Sequence, residues 1–359
     1  MLALVRRRKG TAALAALVVA TASITTVLAT RSTAAPNLPP ISATRLVSEA
    51  IAAVERNGPV HGDASVHIDL GLPSLPSSGY GPQTGPLSVL AELAGDHSLR
   101  VWKSPDGVRI ADLLPAAERA VFATAGDLWL WNSTQMTAVH VLPPAGGTGP
   151  TDGPAPRLDP SSLAARALDA ITPTTAVSVG TARMVAGRPA YALVLEPRTD
   201  ETLVGQVEVD VDADTFTPLR LAVTPRGGTT PALESTYTSV SFDPIDPSVF
   251  EFTPAPGVHV KEIRLPGEHS HQGEAAMGWT GAPPTVRTFG EGWTSTVAIR
   301  LPTESAPHAG RQQLRDIEQL LPYSGPLLSV RMAERAGSTW ILAGMVPQSA
   351  LERVEQRLP

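Results

Sequence analysis

At 359 residues, 42% of them hydrophobic and 17% charged, the chain has the apolar content of a globular protein of two modest domains and is not a disordered polypeptide. Its formal charge of -6, with no Lys/Arg cluster after residue 9, excludes a nucleic-acid partner, because phosphate binding needs a basic face. Cysteine is absent, which excludes disulfides, thiolate metal sites, cysteine nucleophiles and the acylated cysteine of a bacterial lipoprotein anchor.

The chain opens on Arg6, Arg7, Arg8 and Lys9, followed by an uncharged run from Gly10 to Thr30, the order of charges and apolar residues that directs export. Ser32-Thr-Ala34 suits a signal peptidase and Val27-Leu-Ala29 is a second candidate, so residues 1–35 read as a cleaved signal peptide. The run is also roughly 20 residues long, enough to span a bilayer as a retained N-terminal membrane anchor. Either way the basic residues stay cytoplasmic and the remainder goes outside.

Pro36 to Pro40 is a short linker, and a helix is predicted from Ser42 as N-cap to Asn57, with Leu46, Val47, Ala50, Ile51 and Val54 on one stripe. Gly58-Pro59 stops it. A first strand over Ser65 to Leu70 points Val66, Ile68 and Leu70 one way. Gly71 to Pro86 is a Gly/Pro/Ser-rich loop. Strands follow over Asp96–Lys103, Gly107–Leu113, Ala120–Thr124 and Asp127–Asn132, with turns at Pro105-Asp-Gly107 and Ala125-Gly-Asp127. In Leu128-Trp-Leu-Trp131 both faces are apolar, which predicts a strand covered twice. After a second loop, Pro143 to Pro156, Asp159-Pro160 has the order of an N-cap followed by proline at the first helical position. That helix runs to Ile171 with Leu163, Ala167, Leu168 and Ile171 on one stripe.

From Ala176 to Val258 the chain reads as a β-meander. Arg188 to Glu196 is apolar on both faces, Tyr191 and Leu193 included. Val207, Val209 and Val211 alternate with Glu208, Asp210 and Asp212, the pattern of a half-buried antiparallel strand, and Leu219, Leu221 and Val223 alternate with Arg220, Ala222 and Thr224. Thr236, Thr238, Val240 and Phe242 lie opposite Tyr237 and Ser239. A sheet of this length needs a second layer or must curl on itself. Pro254 to Pro284 loses periodicity and reads as a linker. A strand over Trp293–Leu301, a helix over Arg311–Leu321, strands over Leu327–Ala333 and Thr339–Val346 and a closing helix over Pro347–Leu358 make a small α+β module. The expected organisation is an export segment (1–35), a main domain (36–262), a linker (263–284) and this module (285–359).

Three segments carry a resemblance: Gly187-Arg-Pro-Ala-Tyr-Ala-Leu193 entering a strand, Val209-Asp-Val-Asp-Ala-Asp-Thr-Phe-Thr-Pro-Leu-Arg220 at a strand-turn-strand corner, and Asp246-Pro-Ser-Val-Phe-Glu-Phe-Thr-Pro254. In this order behind an export signal, the stretch from Ile41 to Val260 resembles the LolA-like superfamily of exported lipid- and lipoprotein-binding proteins. The resemblance implies an incomplete antiparallel β-barrel with a helical lid over its concave face and a cavity for acyl chains of a lipid or lipoprotein. The anti-sigma-factor regulators of the RseB type look similar in adding a small C-terminal module. That likeness implies an alternative in which a membrane-anchored protein is the partner.

Trp102, Trp129 and Trp131 are candidates for the cavity wall, and so, on the opposite strand faces, are Leu99, Val101, Leu128 and Leu130, because a sequence does not say which face is concave. Tyr191, Leu193, Val207, Val209 and Leu221 complete the candidate set. His259, His269 and His271 lie in linker-like sequence with nothing rigid to make their ligands converge. Asp210, Asp212 and Asp214 fail the spacing of a calcium loop and read as a solvated strand edge. No Gly-x-Ser-x-Gly elbow or phosphate-cradling glycine motif is present, so the expectation is a non-enzymatic protein without a cofactor.

Overall fold

A computed structural model describes residues 35–71, 93–142, 158–169, 174–264, 285–301 and 321–359. The export segment, both long Gly/Pro loops, most of the linker and the expected helix over 311–321, save its last residue, lie outside the described residues.

Thirteen strands form one large curved sheet that does not close, since the strands at its two ends do not pair with each other. The first helix, α1 (Ala43–Arg56), leads into β1 (Val60–Ile68). Next come β2 (Gly95–Ser104), β3 (Gly107–Leu114), β4 (Ala117–Ala123), β5 (Leu128–Asn132) and β6 (Thr137–Leu142), each antiparallel to the strand before it. A second helix, α2 (Pro160–Asp169), precedes β7 (Thr175–Val179), β8 (Arg183–Val185), β9 (Arg188–Pro197), β10 (Val204–Asp212), β11 (Pro218–Pro225), β12 (Leu233–Tyr237) and β13 (His259–Arg264). Across the sheet the order is β13-β6-β5-β4-β3-β2-β1-β12-β11-β10-β9-β7, with β8 on the flank of β9. Two local meanders therefore meet along the β1–β12 seam.

The helices form where their caps predict. Ser42 Oγ accepts a hydrogen bond from the Arg45 N–H at 3.3 Å, and Asn57 ends α1 in the left-handed region at φ 46°. The Asp159 carboxylate accepts from the Ser162 N–H at 3.0 Å at the start of α2. Leu46 and Ala50 of α1, Ala164 and Leu168 of α2, and Tyr191, Leu193, Leu195, Val207, Val209, Val211, Leu221 and Val223 of β9–β11 share one buried core.

Each segment behind the resemblance has a structural role. Ala186 and Gly187, both at positive φ (49° and 77°), turn the chain between β8 and β9, and the position with the larger φ is glycine. At the β10–β11 corner the Asp212 carboxylate accepts from the N–H groups of Asp214 (3.1 Å) and Thr215 (2.8 Å) and pairs with Arg188. The third segment forms a 3₁₀ turn over Pro247–Phe250, capped by Asp246, whose carboxylate accepts from the Ser248 N–H at 2.9 Å. Its Phe250 is buried against Gly107, where an added Cβ would lie 2.9 Å from the ring.

Three readings of the sequence are corrected. Asp210 and Asp212 are not on a solvated edge: β10 lies between β9 and β11, and both side chains are fully buried against arginines. The stretch His259–Arg264, read as linker, is β13, parallel to β6 and largely exposed, so no apolar alternation marks it. The short β6, which falls between a predicted strand and a predicted loop, escaped the period-2 reading.

A second sheet of five strands, in the order β14-β15-β18-β17-β16, is built from β14 (Thr285–Phe289), β15 (Thr296–Leu301), β16 (Tyr323–Ser324), β17 (Ser329–Arg335) and β18 (Ser338–Gly344). The last helix, α3 (Gln348–Glu355), buries Leu351 and Val354 with Ala298, Trp340 and Leu342. The two sheets touch. The Met345 carbonyl accepts from the Leu203 N–H (2.8 Å) and the Thr202 hydroxyl (2.9 Å), the Trp293 indole N–H donates to Thr175 Oγ1 (2.8 Å), and Leu327 enters the helix-covered core.

Candidate functional site

Register assigns every candidate residue to a face, because directly paired residues point the same way and alternate residues along a strand do too. On the face that carries the helices, Val101, Ile110, Val121, Leu130 and Val139 form one row across β2–β6, and Val108, Ala123, Leu128 and Val141 form the next across β3–β6, with Lys103 at its β2 end. Leu99 lies one pair further along β2, opposite Asp112. The two helices make their main contacts with β7, β9, β11 and β12, so among the described elements no helix covers β3–β6. Burial follows: Val101, Leu128 and Val141 are at most 4% exposed, while Val108, Val121, Leu130 and Val139 are half-buried. The result is an apolar trough two rows deep, beside the helices.

The next row in register is polar. Leu99, Asp112, Arg119 and Asn132 pair across β2–β5, and His97, two residues before Leu99, shares their face. Asp112 Oδ2 meets His97 Nδ1 at 3.2 Å and Arg119 Nη2 at 3.5 Å. The other oxygen, Oδ1, is shielded from solvent and has no hydrogen-bond partner.

Of the remaining candidates, Tyr191, Leu193, Val207, Val209 and Leu221 are on the helix face too, but beneath α1 and α2, where each is at most 9% exposed. Trp102, Trp129 and Trp131 are on the opposite face. There Trp102, Arg109, Phe122, Trp129 and His140 form a row. The Arg109 guanidinium stands 4.7 Å from the ring centres of both Trp102 and Phe122, and Trp129 stacks on His140 at 4.0 Å. Phe252, two residues beyond the 3₁₀ turn, packs on Phe122, Trp129 and Trp131. The structure thus divides the twelve candidates into four at the trough, five beneath the helices and three in an aromatic cluster behind the sheet.

Behind β9–β12 the same face is charged. Arg220 donates to Glu208 (2.7 Å), Asp210 (3.0 Å) and Glu234 (2.6 Å), and Arg183 reaches Glu208 at 2.8 Å and Asp210 at 3.4 Å. Three carboxylates thus share two guanidinium groups. Burial pushes Asp210 up to about 6, against the pull of both arginines. Burial also works against the charge of Asp212, yet hydrogen bonds from Arg188 and Thr215 hold that carboxyl below its usual range. None of these groups converges on a metal: among the described residues no three His, Asp or Glu side chains are placed to hold one. No described helix is long and apolar enough to cross a membrane.

No family model matches the chain, and no curated protein matches it either. Solved structures are similar to it at low identity. A crystal structure of MucB is 16% identical with a TM-score of 0.46, the match covering 88% of this chain and 96% of that one. The MucA/MucB complex of Pseudomonas aeruginosa gives 15% identity and a TM-score of 0.48 over 87% and 96%. A LolA superfamily protein of Nitrosomonas europaea gives 11% and 0.23 over 59% and 99%.

Proposed function

We infer that this chain is an exported, non-enzymatic protein that binds an acyl chain of a lipid or lipoprotein in the trough formed by Leu99, Val101, Val121, Leu128, Leu130 and Val139. One observation carries this reading: an apolar sheet face two rows deep lies beside the lid helices without being covered by them. Parity supports it, because the residues are strand-borne and share one face, so a linear chain can lie across β3–β6 between Lys103 at one side and the row of Asp112 and Arg119 at the other. Burying an acyl chain contributes up to about 0.8 kcal/mol per CH₂, so a half-buried chain already gives useful affinity without polar specificity.

The test is native mass spectrometry of protein purified without detergent, followed by organic extraction and by titration with a lipid. The expected result is an added mass that extracts as lipid in the wild type and is missing from Leu130→Arg, whose circular dichroism stays native. A folded wild type that is free of lipid and refuses added lipid would remove the reading.

A second reading, a regulator that captures a segment of a membrane-anchored protein, has its own support in β14. Among the described strands β14 pairs only with β15, and Val286 on it is 59% exposed. An open, partly apolar edge is a template for an added strand. Under this reading Val286→Asp weakens co-purification of a membrane protein at least fivefold while lipid content is unchanged. Equal recovery of that protein with both forms would sink it.

A further inference from the structure

Of the 28 Lys and Arg residues in the chain only three are lysines, and Lys9 lies before the described residues. The other two stand at opposite ends of the trough, on its own face. Lys103 of β2 pairs with Val108 and opens the second row, which continues through Ala123, Leu128 and Val141 to Ile263 of β13. Lys261 of β13 pairs with Val139 and closes the first row. Among the described residues the ion pairs are made by arginine and histidine, and none is made by lysine.

The two ends differ in their surroundings. Lys103 is half-buried, and its neighbours on that face are apolar: Val60 of β1 and Val108 of β3 pair with it, and Val101 precedes it by two residues. Lys261 is exposed on the edge strand. A partly shielded ammonium attracts an anion more strongly, and with less screening by salt, than an exposed one does. Lysine suits such a place, since its stem lies along apolar surface while the charge stays free at the tip.

We propose that Lys103 binds the head of the acyl ligand and that this head is anionic, a carboxylate or a phosphate. The acyl chain then runs from Lys103 over Val108, Ala123, Leu128 and Val141, four strand spacings or roughly 19 Å across the sheet, and meets no other charge on the way. This rests on the trough being an acyl site, to which it adds a direction and a class of head group.

Three ligands with the same oleoyl chain test the proposal: oleate, 1-oleoyl-lysophosphatidate and monooleoylglycerol, of which only the last has a neutral head. Their affinities are measured below their micelle-forming concentrations, by displacement of a fluorescent acyl probe from delipidated full-length protein. The wild type is expected to bind at least one anionic ligand about tenfold more tightly than monooleoylglycerol, the usual worth of one charged contact. Tighter binding of oleate identifies a carboxylate head, and tighter binding of lysophosphatidate a phosphate head. Lys103→Met keeps the apolar stem and loses the charge, so the preference is expected to fall to within about twofold while monooleoylglycerol binds as before. Lys103→Arg retains the preference, and Lys261→Met leaves it nearly unchanged. Equal affinity of the wild type for all three ligands, an unchanged preference in a folded Lys103→Met, or a loss in Lys261→Met as large as in Lys103→Met overturns the proposal and leaves the acyl site standing. Failure of the wild type to bind the probe or any of the three overturns both. The wild-type comparison needs no variant, so a folding defect in Lys103→Met does not protect the idea.

Discussion

The two halves of the large sheet are built from the same alternation and end up in different states. In β9–β11 the helix-side residues Leu193, Leu195, Val209 and Val211 are fully buried under α1 and α2. In β3–β6, with no described helix over them, Ile110, Ala123, Leu128 and Val141 on that face are buried but Val108, Val121, Leu130 and Val139 are only half-buried. The reverse faces differ as sharply: three carboxylates and two arginines behind the first half, an aromatic stack closed by Phe252 behind the second. One half of the sheet is thus sealed beneath its helices, and the other is filled on its back and only partly covered on its apolar front.

The comparison is broken most directly by truncating one side chain in each half. Leu193→Ala is expected to cost about 2–5 kcal/mol, because it removes a fully buried side chain from a core that cannot collapse around the gap. Leu130→Ala is expected to cost under about 1.5 kcal/mol, since the site is already partly open, and its effect should appear in lipid uptake instead. Urea denaturation of both variants reads the difference, and equal losses would mean that the two halves are packed alike. A smaller effect comes from the charged back of the first half. Asp210 takes up its proton near pH 6 when folded and near 3.9 when unfolded, so between these values the native state holds more protons. Stability from this group is therefore complete below about pH 4 and is lost as the pH rises through about 6. Asp210→Asn should flatten that fall, by about 1–2 kcal/mol between pH 4.5 and 7.5, in denaturation midpoints measured at both. A wild type whose stability from this site rises over the same interval would show that the two arginines, not burial, set the state of Asp210.

Most of the strands and both lid helices were legible because their signals are local. The caps at Ser42 and Asp159, the alternation around Val207–Val211 and the turn at Gly187 act within a few residues. What the sequence hid depends on partners far along the chain. Asp210 and Asp212 look like a solvent face until Arg183, Arg188 and Arg220 are brought to them, and then an acidic row becomes a buried one. β13 has no apolar pattern because an exposed edge strand needs none; its hydrogen bonds to β6 supply what its side chains do not. The face of Trp129 and Trp131 was undecidable from alternation alone, since both faces of that strand are apolar, and it took Phe252 to mark one of them as closed. The unmatched Oδ1 of Asp112 has no sequence signal at all.

The parallel pairing of β13 with β6 also orders events in time. A chain made from its N-terminus completes β6 at residue 142, and the neighbour that covers its free edge is not finished until residue 264. Throughout that interval the β2–β6 meander carries an open edge and an apolar face, the combination that invites intermolecular pairing. The β1–β12 seam is likewise a contact between segments far apart in the chain, which slows folding relative to the local hairpins on either side. A nascent chain of this protein is therefore at its most vulnerable after its first meander has formed and before its last strand arrives, and a helper that occupies the β6 edge during synthesis would protect that half of the sheet.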